Sequence, residues 1–401
     1  MSKYAGLNNA AISASQCAKI FFLFGLGSAA LIVPTAVTAI AKQDAWISML
    51  LVGPVNYLVM AVYLALAERF PNLSIAQYAE RVIGTWAGKA LTFTYILFFL
   101  LLSALVLRNI SDFLGLSVLP QTPDWFIDVT FMIVVIYGVY LGIETIARTG
   151  EILFAWGLFV VLIILLSLLN QFELSQFEPL LYEGFERPIK GVYPVFGFPV
   201  CEFVFITVIL PLVDKEERPK LKRYINWTVV LITVTGCLLT VFLIGVLGVS
   251  ETARSPFAVY DMAKNINIEE ILVRVEILVA IVWIGTVFMK LVLCVYVLAV
   301  LTGQMLNLST YRPLVFPYSV LVIPLSLIAY RNSAHTNLFA MGVWTTYSAF
   351  QGLLLPSLLL AVAAIRGLRD NGGGMFPKLA QAGGNRGSEA DKGQGEEPSP
   401  A

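Results

Sequence analysis

The chain has 401 residues, of which 58% are apolar and only 13% are charged. Soluble domains carry about a quarter charged residues, and the mean hydropathy here is +0.81. Because 26 basic residues balance 26 acidic ones, no basic excess remains for binding nucleic acid. The composition therefore excludes an ordinary soluble enzyme, a disordered chain and a nucleic-acid binder, and it predicts an integral membrane protein.

Residues suited to catalysis or metal binding are scarce in the sequence. His335 is the one histidine, and the four cysteines, Cys17, Cys201, Cys237 and Cys294, are widely spaced in apolar stretches. Zinc sites and Ser-His-Asp triads need clusters of residues that this chain does not supply. We expect the protein not to be an enzyme, and we predict no cofactor and no metal site.

Ten apolar stretches are long enough to cross a bilayer as a helix, which takes about 20 residues. In chain order these spans are 20–41, 45–67, 90–107, 125–143, 152–172, 191–213, 224–250, 275–300, 313–330 and 341–365. Ionisable residues interrupt three of them: Asp128 in span 4, Glu202 in span 6, and Glu276 and Lys290 in span 8. The predicted fold class is an all-α integral membrane protein with ten transmembrane helices.

The distribution of Lys and Arg predicts the orientation. Ten spans place both termini on one side of the membrane. With the termini inside, the inner loops and flanking ends up to residue 369 hold fourteen basic residues and the outer loops hold eight. Because cytoplasmic loops are enriched in Lys and Arg, both termini are predicted to be cytoplasmic.

The end of the chain differs from the rest in composition. Eight of the last 32 residues are glycine, mixed with Ser, Pro, Glu and Lys. Such a stretch cannot bury enough apolar area to offset its ordering entropy. We predict a transmembrane domain over 1–369 and a disordered Gly-rich cytoplasmic tail over 370–401.

Spans 1 and 6 each carry helix-breaking residues near the middle. Span 1 contains Gly25 and Gly27, and span 6 contains Pro194, Gly197 and Pro199. Glycine lowers helix stability and proline removes a backbone donor, so each span is predicted to be interrupted. The alternative is that the glycines only allow close helix packing.

The two breaks fall in the first helix of each five-helix half, about 13–169 and 191–365. Because five is odd, the second half must enter the membrane upside down relative to the first. Such inverted repeats occur in many secondary transporters, whose substrate sites lie at the midplane between discontinuous helices. Half-helix N-termini attract carboxylates, so the expected ligand is an amino acid or a similar small zwitterion.

Two charged residues, Glu202 and Lys290, lie near the middle of their spans. A charge at that depth costs at least about 2.5 kcal/mol on insertion scales. We hypothesise that the two residues pair, or that Glu202 exchanges a proton when ligand binds and so couples occupancy to helix movement. The alternative is a buried ion pair with a structural role.

A series of short motifs follows in order along the chain. They are Gln16 with Gly25-Leu-Gly27, Lys42-Gln-Asp-Ala-Trp46, Arg69-Phe-Pro71, Leu119-Pro-Gln-Thr-Pro123, Gly142-Ile-Glu144 with Arg148, and Gly197 with Glu202 and Pro211. Over about residues 8–366 this ordered set closely resembles the spore germination permease family, the B subunits of GerA-type nutrient germinant receptors.

The resemblance implies the LeuT-like fold of the amino acid, polyamine and organocation superfamily, with two inverted five-helix halves. It implies a location in the inner membrane of the endospore and two partners, a larger A subunit and a lipoprotein C subunit. It also implies a nutrient pocket, whose lining on this chain would be Gly25, Gly27 and Ser28 from span 1, Tyr95 and Phe99 from span 3, Phe196, Gly197 and Phe198 from span 6, and Thr286 from span 8.

Three functions use the same helices and the same cavity. The first is a receptor subunit that senses a nutrient and triggers germination, the second is a proton- or ion-coupled amino acid permease, and the third is a ligand-gated ion channel. Proton-coupled relatives in the superfamily carry a lysine on the fifth helix, and residues 152–172 contain none. This departure weighs against proton coupling, although Lys290 on a neighbouring helix could substitute.

Overall fold

The computed structural model describes residues 11–27, 29–264, 276–329 and 339–370. Nine helical stretches of the described chain are long and apolar enough to cross a membrane, and one of them, Ile32–Arg69, joins the end of span 1 to span 2. The helices of the ten spans are, in order, Ala14–Leu26 with Ala29–Ala41, Ala45–Arg69, Thr85–Phe113, Asp124–Leu141, Ile143–Ser167, Glu186–Gly197 continued by 200–212, Arg218–Arg254, Glu276–Met305, Arg312–Ala329, and 339–365. The predicted all-α, ten-helix fold is confirmed.

Most helices extend beyond the apolar stretches that predicted them. The first turns of span 5 carry Glu151, whose carboxylate lies 2.7 Å from the Lys19 ammonium of span 1. Near the end of span 3, the Arg108 guanidinium lies 2.7 Å from the Asp112 carboxylate one turn later. Charged side chains at helix ends reach out of the apolar layer or pair with each other, so a charge does not mark where a helix stops.

The predicted breaks in spans 1 and 6 are confirmed. The first helix of span 1 ends at Leu26, and the second begins at Ala29. In span 6 the helix ends at Gly197, the Phe198–Pro199 peptide bond is cis, and the chain continues from Val200 as a 3-10 helix. Backbone groups left without helical partners are therefore present in both spans. Ser28 and the predicted tail beyond Asp370 lie outside the described residues.

The spans pack as two groups, and each group combines spans that are distant from one another in the sequence. Spans 1, 2, 6 and 7 pack on one another, and spans 3, 4, 8 and 9 form a second group. Each group takes two helices from each five-helix half, in equivalent positions, which is the arrangement that an inverted repeat generates. Span 5 packs against spans 1 and 8, and span 10 contacts spans 2 and 6. We call the two sets the 1-2-6-7 group and the 3-4-8-9 group.

The first and last described segments meet at one end of the bundle. The Ile12 N–H donates to the Leu212 carbonyl at 3.1 Å, and the Asp370 N–H donates to the Arg69 carbonyl at 2.8 Å. We call this the terminal end of the bundle. Both ends of the described chain lie there, as an even number of spans requires.

Span 10 approaches span 6 so closely that only glycine fits at the contact. A Cβ built on Gly352 would overlap the backbone carbonyl of Cys201, just beyond the break of span 6. We expect Gly352→Ala to destabilise the protein by about 1–3 kcal/mol, because a backbone atom cannot rotate away. The measurement is the midpoint of thermal unfolding in lipid nanodiscs.

The matched control is Gly157→Ala in span 5, where the nearest atom to a new Cβ lies 3.7 Å away. Alanine favours a helix over glycine by up to about 1 kcal/mol, so this variant should unfold at the same or a higher temperature. Equal losses in the two variants would contradict the proposed close approach of spans 6 and 10.

Candidate functional site

The structure brings the two mid-membrane charges together. The Lys290 ammonium lies 2.6 Å from Oε2 of Glu202, and neither side chain has any exposed surface. Glu202 belongs to the 3-10 segment that follows the break of span 6, and Lys290 lies in the middle of span 8. The ion pair therefore links the 1-2-6-7 group to the 3-4-8-9 group.

The break of span 1 provides the space for the lysine. A Cβ built on Gly27 would lie 2.7 Å from Cδ of Lys290. The ammonium then lies over two aromatic rings, 5.1 Å from the centre of Phe24 and 4.5 Å from the centre of Phe198. A cation over an aromatic face is attracted by the ring quadrupole, more strongly where water is excluded. Both breaks thus contribute to the surroundings of one buried charge.

The second oxygen of the carboxylate has a partner on span 10. The Trp344 indole N–H donates to Oε1 of Glu202 at 2.8 Å, so each carboxylate oxygen accepts a hydrogen bond. The indole ring stacks on Phe98 of span 3, with centres 5.3 Å apart and planes 6° apart. Hydrogen bonds to a buried charge offset part of its desolvation cost. The site is therefore a network over spans 1, 3, 6, 8 and 10.

Span 10 is held next to this network through an irregular turn. Residues Phe350–Leu354 form a π-helical turn, a form that often marks functional sites. The Tyr95 hydroxyl of span 3 donates to the Gln351 carbonyl at 2.9 Å, and the Tyr63 hydroxyl of span 2 donates to the Gly352 carbonyl at 2.5 Å. Span 10 is thereby tied to both helix groups.

Two small cavities flank the break of span 1, each of about 50 Å³. The first lies among spans 1, 2, 6 and 7 and is lined by Gly25, Pro199 and Asn56, whose buried Oδ1 has no hydrogen-bond partner in the described chain. The second lies among spans 1, 5, 7 and 8 and is lined in part by Thr286. Each has room for a few molecules of water, so a nutrient bound at the breaks requires side chains to move.

The residues predicted to line one pocket are distributed over several environments. Of these residues, Gly27 and Phe198 lie beside the Glu202–Lys290 ion pair. Gly25 lines the first cavity and Thr286 the second. Phe196 is half-buried. Gly197 packs against the backbone of Thr345, where a Cβ would overlap its Cα, while Tyr95 and Phe99 are fully buried in helix contacts.

Sequence reasoning missed Phe24, Phe98 and Trp344. The sequence predicts Phe99 on span 3. The ring that stacks on Trp344 belongs to Phe98, and Phe99 packs edge-on against that ring at 5.3 Å. One feature of the sequence points to Trp344. A buried indole N–H needs an acceptor, and span 10 has no charged residue of its own that could accept the hydrogen bond.

The Trp344 hydrogen bond can be removed while the ring stack is kept. We expect Trp344→Phe to lower the free energy of unfolding by about 1.5–3 kcal/mol, because one oxygen of a buried carboxylate loses its donor. Trp156→Phe in span 5 is the control, since Trp156 is 39% exposed on the bundle surface and surface changes cost about 0.5 kcal/mol or less. Thermal unfolding in nanodiscs compares the two variants, and equal shifts would contradict a structural role of this bond.

Solved structures with the same architecture include transporters. MhsT in complex with L-phenylalanine aligns with a TM-score of 0.61 at 15% identity, over 89% of this chain and 90% of MhsT. Mhp1, a nucleobase-cation-symport-1 family transporter with bromovinylhydantoin bound, aligns with a TM-score of 0.60 at 13% identity, over 90% and 91% of the two chains. At these identities the likeness shows the LeuT fold alone.

Proteins that match by sequence have higher identity to this chain than these solved structures. Spore germination protein KB of Bacillus subtilis is 28% identical over 90% of this chain and 96% of its own length. Spore germination protein YndE of the same organism is 24% identical over 88% and 97%. The family model described as "Spore germination protein" matches residues 11–334. The chain is thus a multi-pass membrane protein that belongs to the spore germination permease family.

Proposed function

We propose that the chain is the membrane subunit of a spore nutrient germinant receptor, which recognises a small nutrient at the breaks of spans 1 and 6 and triggers germination. Membership of the spore germination family supports a role in germination, and the transporter fold supports a ligand site at the midplane of the membrane. The observation that carries the proposal is the meeting of both breaks at the buried Glu202–Lys290 pair. Because this site joins the two helix groups, binding of a ligand there can move one group relative to the other.

The proposed nutrient is an amino acid or a similar small molecule. Its pocket would open where Gly27, Phe198 and the ion pair now lie, with Gly25 and Thr286 at the adjoining cavities. Ser28 and the remaining predicted lining residues, Tyr95, Phe99, Phe196 and Gly197, would border the opened space. The proposed partners are an A subunit and a lipoprotein C subunit in the inner membrane of the endospore.

A coupled amino acid permease is the second candidate. It is favoured by the fold, since MhsT, a chain of the same architecture, binds L-phenylalanine. The receptor is preferred because the relatives that match along nearly their whole length are spore germination proteins. The two candidates differ in whether the nutrient accumulates across the membrane.

Spores that lack this chain should lose their germination response to at least one nutrient of a panel of amino acids and sugars. The full-length chain should restore the response, because recognition depends on its site. Gly27→Ala should raise the nutrient concentration needed, since the new Cβ would displace the Lys290 stem, and Gly157→Ala is the control. The measurement is the fall in optical density of spore suspensions.

Counterflow of labelled amino acid into liposomes distinguishes the permease from the receptor. The purified chain should show none under the receptor proposal. Concentrative uptake by spores or liposomes, together with an unchanged germination response in spores that lack the chain, would overturn the receptor in favour of the permease.

Both termini are proposed to be cytoplasmic, since the terminal end of the bundle carries the excess of Lys and Arg. Green fluorescent protein fused after Ala401 should fluoresce, and alkaline phosphatase at the same place should be inactive. The control is alkaline phosphatase inserted within 173–185, between spans 5 and 6, which should be active. The reverse pattern in both fusions would show the opposite orientation.

A further inference from the structure

The Glu202–Lys290 pair has the charged groups of a free amino acid, one carboxylate and one ammonium. Both oxygens of Glu202 are engaged, one by Lys290 at 2.6 Å and the other by Trp344 at 2.8 Å. Lys290 reaches into the gap of span 1, next to Gly27. The protein therefore fills the space between its two breaks with an ion pair of its own.

We propose that a zwitterionic amino acid is recognised by exchange with this internal pair. The ligand ammonium takes the place of Lys290 at Glu202, and the ligand carboxylate binds the displaced Lys290 ammonium. The inference rests on the proposed function, since it specifies the nutrient class and the residues that contact it. It makes Glu202 and Lys290 ligand-binding residues.

Charge balance selects the ligand class. Exchange with a zwitterion converts one buried ion pair into two, and every charge keeps a partner. An anion would draw Lys290 away from Glu202 and a cation would draw Glu202 away from Lys290, and each would break the pair without replacing both of its charges. An uncompensated buried charge is strongly destabilising, and a neutral sugar offers only dipoles to both groups. The site therefore discriminates by the number and sign of charges on the ligand.

The side chains around the pair allow this exchange. Lys290 has a flexible four-carbon stem, so its ammonium can move while its backbone in span 8 stays fixed. The rings of Phe24 and Phe198, which now flank the lysine, present faces suited to the incoming ammonium. Trp344 continues to donate to the other oxygen of Glu202 and so keeps the carboxylate oriented.

The exchange also explains how binding is transmitted. The pair is a direct link between span 6 of the 1-2-6-7 group and span 8 of the 3-4-8-9 group. When the ligand takes both partners, this link is replaced by two bonds to a separate molecule. The distance between the two groups is then set by the ligand rather than by the reach of Lys290.

The test uses the full-length chain in lipid nanodiscs and measures affinity by ligand-induced thermal stabilisation. The probes are the common L-amino acids and D-glucose. For each amino acid that binds, its carboxamide keeps the α-ammonium and loses the α-carboxylate charge, and its α-hydroxy acid keeps the α-carboxylate and loses the α-ammonium. We expect the zwitterion to bind at least about tenfold more tightly than either analogue, since each analogue loses one charge-assisted hydrogen bond.

The single variants should shift selectivity in opposite directions. Lys290→Met leaves Glu202 to bind a cation, so the carboxamide should gain relative to the zwitterion. Glu202→Gln leaves a lysine facing the site, so the α-hydroxy acid should gain. Glu151→Gln is the matched control, because it removes an ion pair of similar length, 2.7 Å to Lys19, and Lys19 lies seven residues before the first helix of span 1 ends at Leu26. It should keep the wild-type order of affinities.

Other outcomes would overturn the exchange. If the single variants fail to fold, the double variant E202Q/K290M, which buries no charge, should fold and bind zwitterion and analogues within about twofold of each other. Retention of a tenfold preference in that variant, or failure of the wild type to prefer the zwitterion, would refute it. Binding of glucose alone would refute the exchange and leave nutrient recognition standing, whereas no binding of any probe would overturn both.

Discussion

The buried ion pair between Glu202 and Lys290 is the interaction on which the centre of the protein depends. Two charges without exposed surface are tolerated in a membrane only when they pair and their remaining hydrogen-bonding groups are satisfied. The break of span 6 puts the carboxylate at this position, and the break of span 1 makes room at Gly27 for the lysine stem. The interrupted helices and the mid-membrane charges are therefore parts of one arrangement, because the two breaks provide the positions at which the charges can pair.

Span 10 completes that arrangement from the second half of the chain. Trp344 satisfies the remaining oxygen of Glu202, and the π-helical turn about two helical turns further on offers backbone carbonyls to Tyr63 and Tyr95. A π-helical turn frees such carbonyls because its hydrogen bonds are displaced from the regular α-helical pattern. One helix thus contacts the pair, span 2 and span 3 at once. A change in the spacing of the two groups must be accommodated at span 10.

The ten spans and both breaks could be predicted from the sequence, because hydropathy, glycine and proline act on the backbone locally. The contacts of the site could not. Glycine at positions 27 and 197 gives the same local signal, yet Gly27 faces a lysine stem and Gly197 faces the backbone of Thr345. Phe98, whose ring stacks on Trp344, and the predicted Phe99 are one residue apart, which turns a side chain by about 100° around a helix. Partners such as Trp344, 142 positions from Glu202, are fixed by the packing of helices that no local pattern specifies.

An internal pair that a nutrient can replace would also set the sensitivity of the response. A ligand shifts an equilibrium only by its differential affinity for the two states, and the state with the pair intact has no room for it. The apparent affinity is then reduced by the fraction of molecules in which the pair is open. A stronger pair keeps the two helix groups joined in the absence of nutrient and raises the concentration needed to separate them. Under the proposed receptor function, a tight and fully buried pair favours a low rate of spontaneous opening over high affinity.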